Sequence, residues 1–335
     1  MSVTIKDVAR EAGVSISTVS KVINHAPNIS QSTTDRVNEV MRELDYMPNI
    51  RAASFARQST RNIAFLTAIE KDEAYKNPYM FDTLCGAQSY LSSKGYALQL
   101  IDTLSDDADR PILEQLILQK AVDGVIIHGS ALSRALASTL VRRKFPHIAI
   151  GSPGFERQLC WIDTDNGLAG QIAAQHLLEC GHSRIAYIGG TENGQLSRQR
   201  LNGARDAIEQ AGGQLPAAFI RYTGLSIEQS RQAVLSLLEM SPPPDAIICE
   251  SNTVALGVLE QVRASGLPIP GQMGIVTFDR YPYSDIMKPE PTMVLIDVND
   301  LGREAAKQLL RKIRNPELLV HSFTTLPVLV QGQTT

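Results

Sequence analysis

The sequence has little of what several classes of protein require. Aromatic residues make up 5% of its 335 residues, with a single tryptophan, and no CxxC pair occurs. No uncharged apolar run approaches the roughly 18 residues of a membrane-spanning helix. The charged start MSVTIKDVAR lacks the apolar segment of a signal peptide. We therefore expect a cytoplasmic protein without a membrane partner, whose widely spaced cysteines are reduced thiols: Cys85, Cys160, Cys180 and Cys249.

Catalytic signatures are also missing. There is no GxSxG, HExxH or GxxxxGK[ST] motif, and Gly189-Gly190 lacks the full GxGxxG spacing of a nucleotide-binding turn. His176 and His182 lie close together in sequence, but a structural role is the simpler interpretation. We expect neither enzymatic activity nor a metal or other cofactor, and an enzyme or a ligand-binding protein with the same core is the rival hypothesis.

Charge gives almost no indication of a nucleic-acid partner. The formal net charge is -3, and the first 60 residues carry seven basic and six acidic side chains. That slight excess of positive charge has the sign expected of a DNA-binding segment but is weak.

The first 45 residues are rich in helix signals. Thr4 and Asp7 have the spacing of a capping box, and Ile5, Val8, Ala9 and Ala12 then form one apolar helical face. Gly13 suits a turn with positive φ, and Ser15 can cap a second helix. A third helix is predicted to begin after Ser30 or Ser32. This order is typical of a helix-turn-helix, whose second helix enters the major groove of DNA.

The second helix presents short polar side chains outward. Ser17 and Ser20 can bond base edges or phosphates, Lys21 can reach guanine or a phosphate, and Ile16 can contact a thymine methyl. Thr18, Asn24 and His25 are candidates for phosphate contacts. A generic helical hairpin with solvated polar faces is the alternative interpretation.

From residue 61 onward, short apolar runs alternate with amphipathic segments. Such alternation predicts an α/β fold with parallel sheets covered on both faces. The length favours two doubly wound lobes, with a break near residues 151–161. The runs lie at 63–69, 97–101, 124–128, 147–151, 184–190, 246–249 and 274–278, and the helical segments at 80–94, 111–120, 166–180, 197–211, 227–239, 252–265 and 299–313.

The segment TIKDVAREAGVSISTVSKVIN (4–24) strongly resembles the N-terminal signature of the LacI/GalR family of bacterial transcriptional regulators. The likeness runs on through YMPN (46–49), NPY (77–79), DGVI (123–126), GHSRIA (181–186), RLNG (200–203), ALG (255–257) and FD (278–279). It implies a homodimer, with a tetramer left open, that binds pseudopalindromic operator DNA. It also implies that a small effector, a sugar or sugar derivative, controls DNA affinity, with induction and co-repression both open.

The resemblance also implies a division of the chain. Residues 1–46 would form the DNA-binding headpiece, 47–60 a hinge helix and linker, and 61–335 an effector-binding and dimerisation core like periplasmic sugar-binding proteins. Within the core, the first lobe would take about 61–161 and 292–322, and the second about 162–290 and 323–332.

The predicted hinge departs from its relatives. The family commonly has Ala-Arg-x-Leu, with the leucine wedged into the minor groove, where this chain has Ala52-Ala53-Ser54-Phe55. Phe55 can itself unstack a base step, or it can pack onto the core instead. The full set of predicted DNA contacts is Thr4, Ser15, Ile16, Ser17, Thr18, Ser20, Lys21, Asn24, His25, Asn49, Ala52 and Phe55.

The resemblance places the effector between the lobes, where open parallel sheets bind small molecules at the carboxyl ends of their strands. Alternatives remain: Arg200 and Asp279 could form an interlobe salt bridge, and Tyr79 and Ser130 could be ordinary loop residues. Trp161 is better explained by packing than by ligand stacking. The predicted effector contacts are Tyr79, Ser130, Asp165, Arg200, Asn252 and Asp279.

Overall fold

The computed structural model describes residues 3–23, 26–47, 59–69, 78–104, 111–155, 158–280, 283–318 and 322–335. The chain divides into two compact units, Met1–Arg61 and Asn62–Thr335. Over the residues described, no helix has both the length and the apolar character needed to cross a bilayer.

The first unit is a bundle of three helices: α1 (Ile5–Glu11), α2 (Ile16–Ile23) and α3 (Gln31–Glu43). Asp7 accepts hydrogen bonds from the backbone N–H and the hydroxyl of Thr4, which fixes the start of α1. Gly13 has a φ of +62° in the turn between α1 and α2. The hydroxyls of Ser15 and Ser30 accept backbone N–H bonds at the starts of α2 and α3. The expected helix-turn-helix is therefore present.

The three helices enclose a small apolar core. Branched and small side chains fill it, so the helices approach closely and leave their outer faces to polar residues. Its buried members are Val8, Ala9, Ala12, Val19, Val22, Val37 and Val40.

The second unit contains two six-stranded sheets, one in each lobe. In lobe 1 all strand pairs are parallel, in the order β2-β1-β3-β4-β5-β11. In lobe 2 the order is β7-β6-β8-β9-β10-β12, and only β12 runs antiparallel among the described pairs. The strands are β1 (Asn62–Thr67), β2 (Ala97–Asp102), β3 (Gly124–His128), β4 (His147–Ile150), β5 (Trp161–Thr164), β6 (Ile185–Gly189), β7 (Ile220–Tyr222), β8 (Ala246–Cys249), β9 (Gly274–Phe278), β10 (Thr292–Leu295), β11 (Ser322–Thr325) and β12 (Val328–Val330).

Helices cover these sheets and bury apolar clusters against their faces. This confirms the α/β class with two doubly wound lobes. The helices of the second unit are α4 (Pro78–Ser93), α5 (Ile112–Leu118), α6 (Arg134–Arg143), α7 (Asn166–Glu179), α8 (Gln195–Gln210), α9 (Ile227–Leu238), α10 (Asn252–Ala264) and α11 (Val298–Arg314).

The three crossings between the lobes lie a few residues later in the chain than the approximate boundaries expected from sequence. Strand β5 pairs with β4 in lobe 1, β10 pairs with β9 in lobe 2, and β11 pairs with β5 in lobe 1. The chain therefore changes lobe between Thr164 and Asn166, between Leu295 and Val298, and between Thr325 and Val328. The reason is that each strand completes its sheet before the chain crosses, so hydrogen bonding decides its lobe.

Glycines allow two pairs of helices to approach closely. A Cβ on Gly170 of α7 would clash with the carbonyl oxygen of Arg200 in α8, and one on Gly203 would clash with that of Gly167. In lobe 1, Gly86 of α4 lies equally close to the carbonyl oxygen of Asn299 in α11. The α7–α8 contact holds the segment of α8 that carries Arg200.

Candidate functional site

The outer face of α2 is the candidate DNA-reading surface. Val19 and Val22 point into the headpiece core, whereas Ser17 and Lys21 are exposed and Ser20 is half-buried. Ile16 is 44% exposed although it is apolar, and it lies in the first turn. An apolar side chain left in water beside hydroxyls and one cation fits contact with base edges better than packing within the headpiece.

Ser15 holds the start of α2 through three contacts. Its hydroxyl accepts the N–H of Thr18 at 3.1 Å, and lies 2.7 Å from the Ser17 hydroxyl and 2.9 Å from that of Thr18. These contacts position the N-terminal end of the helix, which is the end that reads bases in a helix-turn-helix. Thr4 is the N-cap of α1, where its backbone N–H and its hydroxyl both donate to Asp7. The other predicted DNA contacts, Asn24, His25, Asn49, Ala52 and Phe55, lie outside the described residues.

A cleft of about 1070 Å³ separates the two lobes of the second unit. Its lining comes mainly from segments that follow the carboxyl ends of parallel strands, where the sequence predicted a binding site. Of the six predicted effector residues, Tyr79, Arg200 and Asp279 line it, whereas Ser130, Asp165 and Asn252 do not.

Arg200 lies at the buried floor of the cleft on α8 and is 4% exposed. Its Nε donates to Asn166 Oδ1 at 3.2 Å, and its Nη1 donates to the carbonyl oxygen of Glu250 at 2.7 Å. The guanidinium carbon lies 4.1 Å from the centre of the Phe278 ring. These contacts fix the planar donor group before any ligand arrives.

Asp279 follows β9 in the left-handed region of the backbone, with a φ of +66°. Its Oδ2 lies 3.9 Å from Arg200 Nη2. Both residues belong to lobe 2, so the alternative of an interlobe salt bridge between them is wrong. Burial raises the pKa of Asp279 to about 6, against the lowering effects of the Arg200 charge and a hydrogen bond with Tyr79. Asp279 Oδ1 is buried without a hydrogen-bond partner among the described residues, so a ligand hydroxyl could donate to it.

Tyr79 and Asn252 meet across the cleft. Asn252 Nδ2 donates to the Tyr79 hydroxyl at 2.7 Å, which links α4 of lobe 1 to α10 of lobe 2. Asn252 is 1% exposed and lies behind Tyr79 rather than on the cleft surface. Burial, followed by the nearby Asp279 charge, raises the pKa of Tyr79, so the phenol stays protonated.

Ser130 is occupied by contacts within lobe 1. Its hydroxyl accepts the N–H of Ala68 at 3.2 Å and lies 3.1 Å from the hydroxyl of Thr67 and 2.9 Å from His128 Nδ1. His128 lines the cleft instead. Burial lowers the pKa of His128 to about 4, so this ring is neutral near pH 7.

Asp165 caps α7 by accepting the N–H of Leu168 at 2.9 Å. Asp163, two residues before it, and Asn166, directly after it, line the cleft instead. Asp163 accepts the N–H groups of Ser152 and Thr164, and burial raises its pKa. Sequence reasoning missed Asp163, because this residue lies within β5, a strand without a continuous apolar run that the sequence analysis did not identify.

Glu250 is a second residue that sequence reasoning missed. It directly follows β8, is 4% exposed and lines the cleft. Its Oε2 accepts the Tyr187 hydroxyl at 3.0 Å and the N–H of Gly190 at 2.9 Å. An acidic residue immediately after a buried apolar run is a sequence signal that would have identified Glu250.

The cleft can bind a hydroxyl-rich molecule. It offers a fixed guanidinium donor at Arg200, an acceptor at Asp279 and an aromatic ring at Tyr79, which are the groups used for vicinal hydroxyls. No group of three or more His, Cys, Asp or Glu side chains that could hold a metal ion occurs in the described parts of the chain.

Comparisons with known proteins find relatives of both units of the chain. Residues 4–49 match the family model of bacterial regulatory proteins of the lacI family, and residues 174–335 match a periplasmic binding protein-like domain. The HTH-type transcriptional repressor CytR of Escherichia coli (strain K12) is 29% identical over 311 residues, which cover 93% of this chain and 90% of that protein.

Solved structures give the same result. A complex of the transcriptional regulator CelR with cellobiose is 27% identical, has a TM-score of 0.70, and is matched over 99% of this chain and 100% of that one. The Lac repressor dimer bound to operator and the anti-inducer ONPF shares the fold with a TM-score of 0.82 at 23% identity, over 100% of this chain and 99% of that one. The chain therefore carries a lacI-family regulatory domain and a periplasmic binding protein-like domain, and it is similar along nearly its whole length to regulators of the LacI family.

Proposed function

We propose that this protein is a cytoplasmic, sequence-specific transcriptional repressor whose operator affinity is controlled by a small effector bound between its lobes. The exposed face of α2 carries the proposal. Ile16 and Ser17 in the first turn of that helix and Lys21 in its last turn are exposed, on a headpiece that matches a family of regulatory proteins. A homodimer would place one such helix in the major groove of each half of a pseudopalindromic operator.

The proposed effector is a sugar or a sugar derivative. The related CelR structure holds cellobiose, and the cleft of this protein presents Arg200 and Asp279 at its floor. Effector control requires that the ligand bind unequally to the DNA-competent and DNA-incompetent states. A ligand that bridges Arg200 in lobe 2 and Tyr79 in lobe 1 would favour whichever state has its lobes closed.

Selection from random-sequence DNA tests the DNA-binding half of the proposal. The full chain should enrich a pseudopalindromic sequence, and its dissociation constant for that sequence should change when a bound sugar is added. A rise identifies induction, and a fall identifies co-repression. Failure to enrich any sequence contradicts the proposal.

An Arg200→Lys variant tests the effector half. It keeps the positive charge but loses the planar donor group, so operator affinity should persist while the response to the sugar weakens. An unchanged response would place the effector elsewhere. The surface variant Arg231→Lys is the matched control, because Arg231 pairs only with Glu228 and Glu260 among the described contacts.

A further inference from the structure

Two arginines line one end of the cleft from opposite lobes. Arg134 begins α6 in lobe 1, and Arg198 lies in the first turn of α8 in lobe 2. Both are exposed. The guanidinium carbon of Arg134 lies 5.1 Å from the centre of the Phe155 ring, and Phe155 also lines the cleft. This stacking holds the Arg134 cation at the cleft surface.

The loop that carries Phe155 reaches across to the helix that carries Arg198. A Cβ on Gly154 would lie 2.6 Å from Oε1 of Gln195, the first residue of α8. The loop after β4 therefore contacts the N-terminal end of α8, three residues before Arg198. The two arginines consequently flank the same end of the cleft, one from each lobe.

Neither arginine has an acidic partner among the described ion pairs. The acids of the cleft are engaged elsewhere. Glu250 accepts from Tyr187 and Gly190, and Asp163 accepts from Ser152 and Thr164. The positive charge at this end is thus not neutralised from within the described part of the chain.

The start of α8 adds to the positive potential. Its N-cap is Gly194, which provides no side-chain acceptor for the first N–H groups of the helix. The partial positive charge of a helix N-terminus and two guanidinium groups without an ion pair among the described residues then act on the same end of the cleft, and both favour an anion. The cleft volume of about 1070 Å³ leaves room for a sugar ring at Arg200 and for a further group at this end.

We propose that the effector is an anionic sugar, whose phosphate or carboxylate group binds between Arg134 and Arg198 while its hydroxyls bind Arg200 and Asp279. This inference rests on the proposed function, since it specifies the effector of the same cleft. Because the two arginines belong to different lobes, one anion would bridge them and close that end of the cleft. Arg134 and Arg198 would then be the residues that distinguish charged from neutral sugars.

Matched sugar triads test the inference by isothermal titration of the full chain. Each triad contains a neutral hexose, its 6-phosphate and its uronic acid, for glucose, galactose and mannose. In at least one triad an anionic member should bind about tenfold or more tightly than the neutral sugar, as expected for charge-assisted hydrogen bonds. The phosphate and the uronate arms distinguish the two kinds of anion.

Two double variants complete the experiment. Arg134→Gln/Arg198→Gln should lose the preference for the anion. Arg142→Gln/Arg231→Gln is the control: it removes the same number of positive charges outside the cleft lining, so it should keep the preference. Three results would overturn the inference. Every neutral sugar could bind as tightly as its anionic counterparts or more tightly, no anionic sugar could bind, or the preference for the anion could survive in Arg134→Gln/Arg198→Gln. A neutral sugar that alters operator affinity would overturn it while leaving the proposed function intact.

Discussion

The side-chain amide of Asn252 donates a hydrogen bond to the hydroxyl of Tyr79 across 2.7 Å, and this bond joins the two lobes. The same hydroxyl interacts with Asp279, whose pKa it lowers. One phenol therefore connects the first lobe to two buried polar groups of the second. The ligand cleft is bordered by a bond that any opening of the lobes must break.

The first prediction concerns this interlobe bond. Tyr79→Phe removes the hydroxyl and keeps the ring, so the free energy of unfolding should fall by about 1–3 kcal/mol, because the buried Asn252 and Asp279 both lose a partner. Urea unfolding followed by the fluorescence of Trp161, the single tryptophan, measures it. Tyr222→Phe, at an exposed edge of lobe 2, is the control and should change stability little. Equal unfolding of the two variants would show that the Tyr79 hydroxyl does not stabilise the core.

The second prediction concerns the pH dependence of stability. The pKa of Asp279 is raised by burial from an ordinary 3.8 to about 6, so the folded state holds this proton more tightly than the unfolded state. Above pH 6 both states carry the charge, and the folded state bears the cost of burying it. As the pH falls from 7 through 6 to below 4, that cost disappears and the wild-type protein gains stability.

Asp279→Asn removes this titration. Because each pKa unit corresponds to about 1.4 kcal/mol, the stability of the wild type relative to the variant should rise by on the order of 3 kcal/mol between pH 7 and pH 4. Urea unfolding of both proteins at pH 7, 6, 5 and 4 measures the difference. A difference that stays constant, or that shrinks in acid, contradicts the assigned cause.

Sequence reasoning found the parts of the fold whose pattern is local. The seven apolar runs that it identified all contain strands. Six of these strands are central and buried on both faces, as in a covered parallel sheet, whereas β2 is a partly exposed edge strand. It did not identify β5, β7, β10 or β11, of which β7 and β11 are short, partly exposed edge strands without a continuous apolar run. The C-terminal strand expected in the second lobe is β12. It also missed α6. The lobe crossings lie a few residues later than it expected, because strand pairing between distant segments determines where the chain crosses.

The residues of the candidate site also differ in how far the sequence could predict them. Arg200 and Asp279 were predicted because each lies in a recognisable local motif at the end of a strand or on the following helix. The Tyr79–Asn252 bond joins residues 173 positions apart, so no local pattern indicates it. Ser130 and Asp165 were predicted to bind the effector, but they bond neighbouring backbone groups, and only the tertiary structure could show which side chain of each loop faces the cleft.

The third prediction concerns the packing that positions Arg200. Gly170→Ala would place a methyl group against the carbonyl oxygen of Arg200, so α7 and α8 must separate. Overpacking of this kind typically costs about 1–3 kcal/mol of stability. The displacement of α8 should also weaken binding of the effector. Urea unfolding and ligand titration measure the two effects.

Gly167→Ala is the matched control on the same helix. A Cβ there would meet Asp165 Oδ1 at 3.5 Å, an ordinary contact. This variant should be neutral or more stable by up to about 1 kcal/mol, since alanine lowers the entropy of the unfolded chain. If Gly170→Ala were as stable as Gly167→Ala, close approach of the two helices would not be what positions the guanidinium group.

The fourth prediction concerns DNA reading by α2. Lys21 is exposed one turn after Ser17 on the same face of α2, so Lys21→Ala should weaken binding to the selected operator by about 1–3 kcal/mol and relax the preference at one base pair. Arg42→Ala, in the last turn of α3, removes the same charge. Since a general loss of positive charge weakens binding uniformly across sequences, Arg42→Ala should leave the selected sequence unchanged. Repeating the random-sequence selection with both variants separates the two effects, because a profile unaltered by Lys21→Ala would limit this lysine to phosphate contact.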